Sequence, residues 1–131
     1  MVVLLALAVV VIDIGHGYVR HLTLTSATER VALAGATGID DSAEVKSAAP
    51  GTRLQLAQVA ATTAARIQAT KEAVAWSGLG IARMKVAVDS VEVKVCAPVR
   101  FPLAWRQLGA SPRTICARAA AATVIPWSQY P

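Results

Sequence analysis

The first twelve residues of the chain, MVVLLALAVVVI, are all apolar, and the thirteenth is Asp13. Nothing else in the sequence restricts the fold as strongly. A run with no polar face has to be covered by lipid or by protein, or be cleaved away. As a helix these residues rise about 18 Å, short of the ~30 Å hydrocarbon core of a bilayer. Three roles fit. One is the apolar region of a secretory signal, but no basic segment precedes it and no clear small-x-small cleavage site follows. The second is a buried helix of a soluble domain. The third, which we take as the expectation, is a membrane anchor whose upstream end lies outside this sequence. Arg20, His21 and Arg30 follow the run and no Lys or Arg precedes it. Alone, that asymmetry puts the C-terminus in the cytoplasm. A basic leader upstream, or a prepilin-type export route, would reverse it.

Beyond Asp13 the helical pattern continues. Val19, Leu22, Ser26, Arg30, Leu33 and Thr37 share one side, and Ile12, Gly15, Val19, Leu22 and Ala27 cluster on another. Gly15 and Gly17 mark either close helix packing or a kink, since glycine inside a helix costs about 1 kcal/mol. Gly38 is a suitable residue to end the helix. Residues 1–38 are therefore expected to form the anchor helix. Asp13 is costly in hydrocarbon, by roughly 2.5–3.5 kcal/mol. It either marks the lipid–water boundary or pairs with a basic group on a neighbouring subunit.

Residues 39–51 are polar and end in Pro50-Gly51, which reads as a linker over residues 39–53. Residues 54–77 read as a second, amphipathic helix. Leu56, Ala60, Thr63, Ile67 and Val74 lie on one face, and Gln55, Gln58, Thr62, Arg66 and Ala69 on the other. The period then switches to two. Met84, Val86 and Val88 alternate with Arg83, Lys85 and Ala87; Val91, Val93, Val95, Ala97 and Val99 alternate with Glu92, Lys94, Cys96 and Pro98. With Asp89-Ser90 as a two-residue turn, this predicts a hairpin in which Val88 faces Val91. A third strand is expected over residues 114–124. The order of elements predicts an α+β fold: a long N-terminal membrane helix, an amphipathic helix, then a small antiparallel sheet of about three strands. Residues 54–131 would form a small extracytoplasmic head.

Composition narrows the function. Hydrophobic residues are 55% and charged residues 16% of the chain, against ~45–50% and ~25% in ordinary soluble domains. That excess suits a chain partly in lipid or in an assembly. The net charge is +5, but its arginines are scattered singly, without the basic stripe of a nucleic-acid binder. No nucleophile elbow, phosphate loop or H-E-x-x-H is present. His16 and His21 lie far in sequence from Cys96 and Cys116, and their spacing does not suit a helical metal pair. Asp40-Asp41 sits in the expected linker, where adjacent acids make no fixed acid–base pair. We expect no catalytic residues, no metal, no cofactor and no small-molecule substrate. In an oxidising compartment Cys96 and Cys116 would bridge; otherwise they are two buried thiols. A bridge that sets Cys96 opposite Cys116 also sets Lys94 against Arg118, an unfavourable like-charge pair. Phe101, Trp105 and Arg106 are residue types of protein interfaces. They form either a docking loop or a cover for the end of the sheet.

The stretch ALAVVVIDIGHGYVRHLTLTSATERVALAGA (residues 6–36) resembles the N-terminal region of TadE/TadG-like proteins of the tight-adherence (Flp, type IVc) pilus system. Asp13, Gly15, Tyr18, Leu22, Ala27 and Ala32-Leu33-Ala34-Gly35-Ala36 carry the likeness. VEVKVCAPVRFPL, followed by a strand and an Ala-rich end, resembles the family's C-terminal strands. The chain departs from the pattern at 26–31, where Ser-Ala-Thr-Glu-Arg-Val replaces the usual Ala-Asp-Ala run. The resemblance implies a minor pilin-like (pseudopilin) subunit, single-pass in the cell membrane with its head outside. Its partners would be other pilus or secretion-system subunits. Asp13, Gly15 and Tyr18 would then serve assembly and anchoring. The alternative is a membrane-anchored or secreted envelope-binding domain unrelated to pili.

Overall fold

The computed structural model describes residues 1–87, 90–99 and 113–123. Six elements follow one another: α1 (Val2–Asp40), α2 (Ala43–Ser47), α3 (Pro50–Ala75), β1 (Gly80–Val86), β2 (Ser90–Val99) and β3 (Arg113–Ala122). The strands form one antiparallel sheet in the order β1-β2-β3. The architecture is α+β, with the sheet laid over a helical hairpin of α1 and α3.

The helix α1 runs unbroken through Gly15 and Gly17, so neither glycine ends or interrupts it. Its first turns stand clear of the rest of the chain: Val2, Val3, Leu4, Leu5 and Leu7 are all exposed. The buried face starts further on and runs Leu24, Ala27, Thr28, Val31, Ala32, Gly35, Ala36 and Ile39. These positions recur at three- and four-residue spacing, the stripe of a helix with one covered side. Neither side inferred from sequence is this one, because Val19, Leu22 and Leu33 are exposed. The single buried hydroxyl of the stripe, on Thr28, donates to the Leu24 carbonyl at 2.7 Å, so the core holds no unsatisfied polar atom there.

The segment 39–53, expected as a linker, is largely helical. Ile39 and Asp40 complete α1, α2 occupies its middle, and Pro50 opens α3. Ser42 starts α2, its hydroxyl accepting from the Val45 backbone N–H at 3.3 Å. Proline suits a helix start because its missing N–H would be unpaired there in any case. Nor does Gly38 stop α1. It lies inside the helix, where an added Cβ would come within 2.6 Å of the Ala64 Cβ.

Of the face expected for α3, Leu56 and Ala60 pack against the core but Thr63, Ile67 and Val74 do not. Ala57, Ala61, Ala65 and Ala69 are buried, whereas Ile67 and Val74 are 54% and 88% exposed. A stripe of alanine at every fourth position allows close approach of two helix backbones. Larger side chains would hold the helices apart, so they point away from this seam.

In the sheet, Val91, Val93, Val95, Ala97 and Val99 face the helices and are buried. Each fully buried valine contributes about 1.5–3 kcal/mol, so this strand fixes the sheet on the helical layer. The hairpin register differs from expectation by two residues. Val86, not Val88, faces Val91, and Met84 faces Val93. Ser90 belongs to β2, and the Ala87 N–H donates to the Ser90 carbonyl at 2.8 Å to close the turn. Residue 88 lies outside the described residues.

Candidate functional site

Three regions could carry function: the apolar stretch of α1, the corner where α1, α3 and β2 meet, and the outer face of the sheet.

On α1, Asp13 is 3% exposed and partnered within the chain. Five helical turns separate it from Val31, which puts both on the same face. The carboxylate thus belongs to the covered side of α1. Gly15 lies off that face, and Tyr18 stands at its edge, five turns before Ala36. Tyr18 is exposed, and a Cβ built on Gly15 would meet nothing. The three residues do not converge.

At the corner, Trp76 ends α3 and is nearly buried. Its indole N–H donates to the Pro98 carbonyl at 2.9 Å. The Arg20 guanidinium lies 5.0 Å from the ring centroid, a cation–π distance. Gly78 turns the chain from α3 into β1 with φ of +85°. A side chain there would be strained and would meet Pro98 at 2.8 Å. Further along the helical seam, Arg30 makes a two-pronged bridge to Glu72, Nε to Oε1 at 2.6 Å and Nη2 to Oε2 at 2.9 Å. Gln68 donates to the same carboxylate at 2.9 Å. The hydrogen bonds from Arg30 hold the Glu72 carboxyl below the usual glutamate range; partial burial opposes this, and Gln68 adds to it.

On the outer face of the sheet, Cys96 pairs directly with Cys116 and the two are joined by a disulfide. Beside the bridge, Arg83, Lys94 and Arg118 stand in one row across all three strands, Arg83 opposite Lys94 and Lys94 opposite Arg118. The next row places Lys85 opposite Glu92. A hollow of about 440 Å³ is lined by these five side chains and Met84. Sequence reasoning anticipated the Lys94–Arg118 contact but not Arg83. The slipped hairpin register hid it, since that register sets Lys85 against Lys94.

Phe101, Trp105 and Arg106 lie outside the described residues. Among the described residues no group of three His, Cys, Asp or Glu side chains is placed to hold a metal ion. His16 and His21 both lie on α1. The arrangement offers contact surfaces: an apolar rod and a cationic face.

Among the described residues one helix, α1, is long and apolar enough to cross a membrane, and almost none of its apolar stretch is buried. Comparison with protein-family models, curated proteins and solved structures finds no match.

Proposed function

We propose that this chain is a minor pilin-like, TadE-like structural subunit that takes part in assembling a tight-adherence pilus or a related secretion system. Its N-terminal helix crosses the membrane once, and the head stands outside the cytoplasm. The observation that carries this reading is the division of labour along α1. The same unbroken helix begins as an exposed apolar rod and ends as the core of the head. A subunit built this way presents a bare helix for lateral packing in lipid or in a fibre, with a rigid head fixed to it. The bridged Cys96–Cys116 pair supports the extracytoplasmic placement, since thiol pairs persist as disulfides in oxidising compartments. The resemblance over residues 6–36 supports the pilus assignment.

The test is thiol labelling on intact cells and on lysed membranes, with and without reductant. The proposal expects the chain to pellet with membranes, and Cys96 and Cys116 to be labelled on intact cells only after reduction. Free thiols in a chain that stays in the cytoplasmic supernatant would overturn it.

A further inference from the structure

We infer that the cation row on the outer sheet face is the docking surface for the acidic tip of a second copy of this chain. The inference deepens the assembly reading and rests on it.

Arg83, Lys94 and Arg118 are set directly opposite one another on adjacent strands. Neighbouring strands are ~4.8 Å apart, so the three charges repel at close range. Among the described residues none of the three forms an ion pair, and Glu92 is the one acid lining the hollow. Such a surface is balanced when an anionic partner covers it.

The chain carries that partner at its other end. Of its eight acids, Glu72 is bound to Arg30, Asp13 is buried, Glu92 already lies in the hollow, Asp40 has a partner of its own, Glu29 stands exposed beside Arg30 on α1, and Asp89 lies outside the described residues. Asp41 and Glu44 are exposed together where α1 passes into α2. Lys46 follows on α2, but residues two apart on a helix do not face the same way. The tip therefore presents two carboxylates clear of their nearest lysine.

The contacts of the head fix the height of the row along α1. The Arg20–Trp76–Pro98 contacts put Pro98 level with Arg20. Lys94 lies about 13 Å further along β2 at ~3.3 Å per residue. Arg20 is itself about 12 Å past the end of the apolar run at ~1.5 Å per residue. The row thus stands roughly 25 Å beyond that run and about 13 Å beyond Arg20.

The same geometry sets when copies can meet. Asp41 lies about 31 Å past Arg20 along α1, so tip and row differ in height by about 15–20 Å. Two chains at equal depth in one bilayer cannot make this contact. Chains stepped along the helix axis can, and the contact is heterologous, so it extends into an open filament.

The test uses the full chain in detergent micelles, where copies are free to stagger, and in bilayer nanodiscs, where they are not. Sedimentation should show salt-sensitive self-association in micelles that is absent in nanodiscs. A row-reversed variant (Lys94→Glu with Arg118→Glu) and a tip-reversed variant (Asp41→Lys with Glu44→Lys) should each associate at least about tenfold more weakly alone. A 1:1 mixture should restore association, because each reversed surface then meets its complement. Lys94→Ala with Arg118→Ala guards against misfolding: it should weaken association while raising the melting temperature, as relief of repulsion requires. A wild-type chain that stays monomeric in micelles, or folded variants that fail to rescue one another, would overturn the contact. So would a row variant that loses binding to anionic-lipid vesicles and keeps self-association. Failure of the rescue in a chain that still fractionates with the membrane sinks this contact alone. A chain found only in the cytoplasm sinks the assembly reading beneath it.

Discussion

Gly38 of α1 packs so closely against Ala64 of α3 that a Cβ on the glycine would sit 2.6 Å from that of the alanine and 3.1 Å from the Ala60 carbonyl oxygen. The seam between the helices is therefore set by backbone contact. Gly38→Ala should gain up to about 1 kcal/mol of helix propensity but lose more to overpacking, which costs typically 1–3 kcal/mol. We expect a net loss, larger for Gly38→Val. Denaturant midpoints of the full chain in detergent check this, and a variant as stable as the parent would show that the helices can separate without cost.

The Arg30–Glu72 bridge should leave a signature in acid. Contact with Arg30 depresses the Glu72 pKa in the folded state. Its contribution to stability is then complete above the unfolded glutamate value of about 4.3 and is lost as pH falls through the lower folded value. Arg30 is half exposed, so the contribution should be under about 1 kcal/mol. Glu72→Gln should lower stability at pH 7 by that amount and flatten the stability profile below pH ~4.5. Thermal melts of both proteins from pH 3 to 7 measure it.

Reduction of the disulfide should cost more. The bridge spans 20 residues of chain, worth roughly 3 kcal/mol in the chain-entropy model. It also holds β3 to β2 beside repelling cations. Paired Cys96→Ala and Cys116→Ala should lower the denaturant midpoint, and adding Arg118→Ala should recover part of that loss. Equal stability of the oxidised and reduced chains would contradict this account.

Trp76 joins three elements through one ring. Trp76→Phe keeps most of the buried surface but removes the donor to the Pro98 carbonyl. We expect a loss of about 1–3 kcal/mol, because a buried carbonyl is left unpaired. Hydrogen exchange should show the loosening at the end of β2 and the start of β1, with the Gly38 end of the hairpin unchanged.

How much of this was legible beforehand varies with residue type. The valines of β2 revealed their strand and their buried side, because burial on one face forces a period of two. The α+β order and the third strand followed from the same logic. Alanine carries no such signal. It is equally at home inside and outside, so Ala57, Ala61, Ala65 and Ala69 gave no hint of a seam, while Ile67 and Val74 pointed to the wrong face. Pro50 read as a breaker when it starts a helix, and Gly38 as a stop when it is a close contact. Both residues have two uses, and only tertiary packing selects between them. At the outer sheet face, the Lys94–Arg118 pairing was readable from the two cysteines, which fix that register. Arg83 was not, since nothing comparable pins β1 to β2.

The unbroken course of α1 has a mechanical consequence. With no hinge between rod and head, a pull on the N-terminal end cannot be absorbed by a flexible joint. It passes straight into the alanine seam as shear along α3, where the load is shared by many small contacts at once. A subunit drawn lengthwise out of its resting position would move as a single strut, and its head would yield only when the two helices slid past each other.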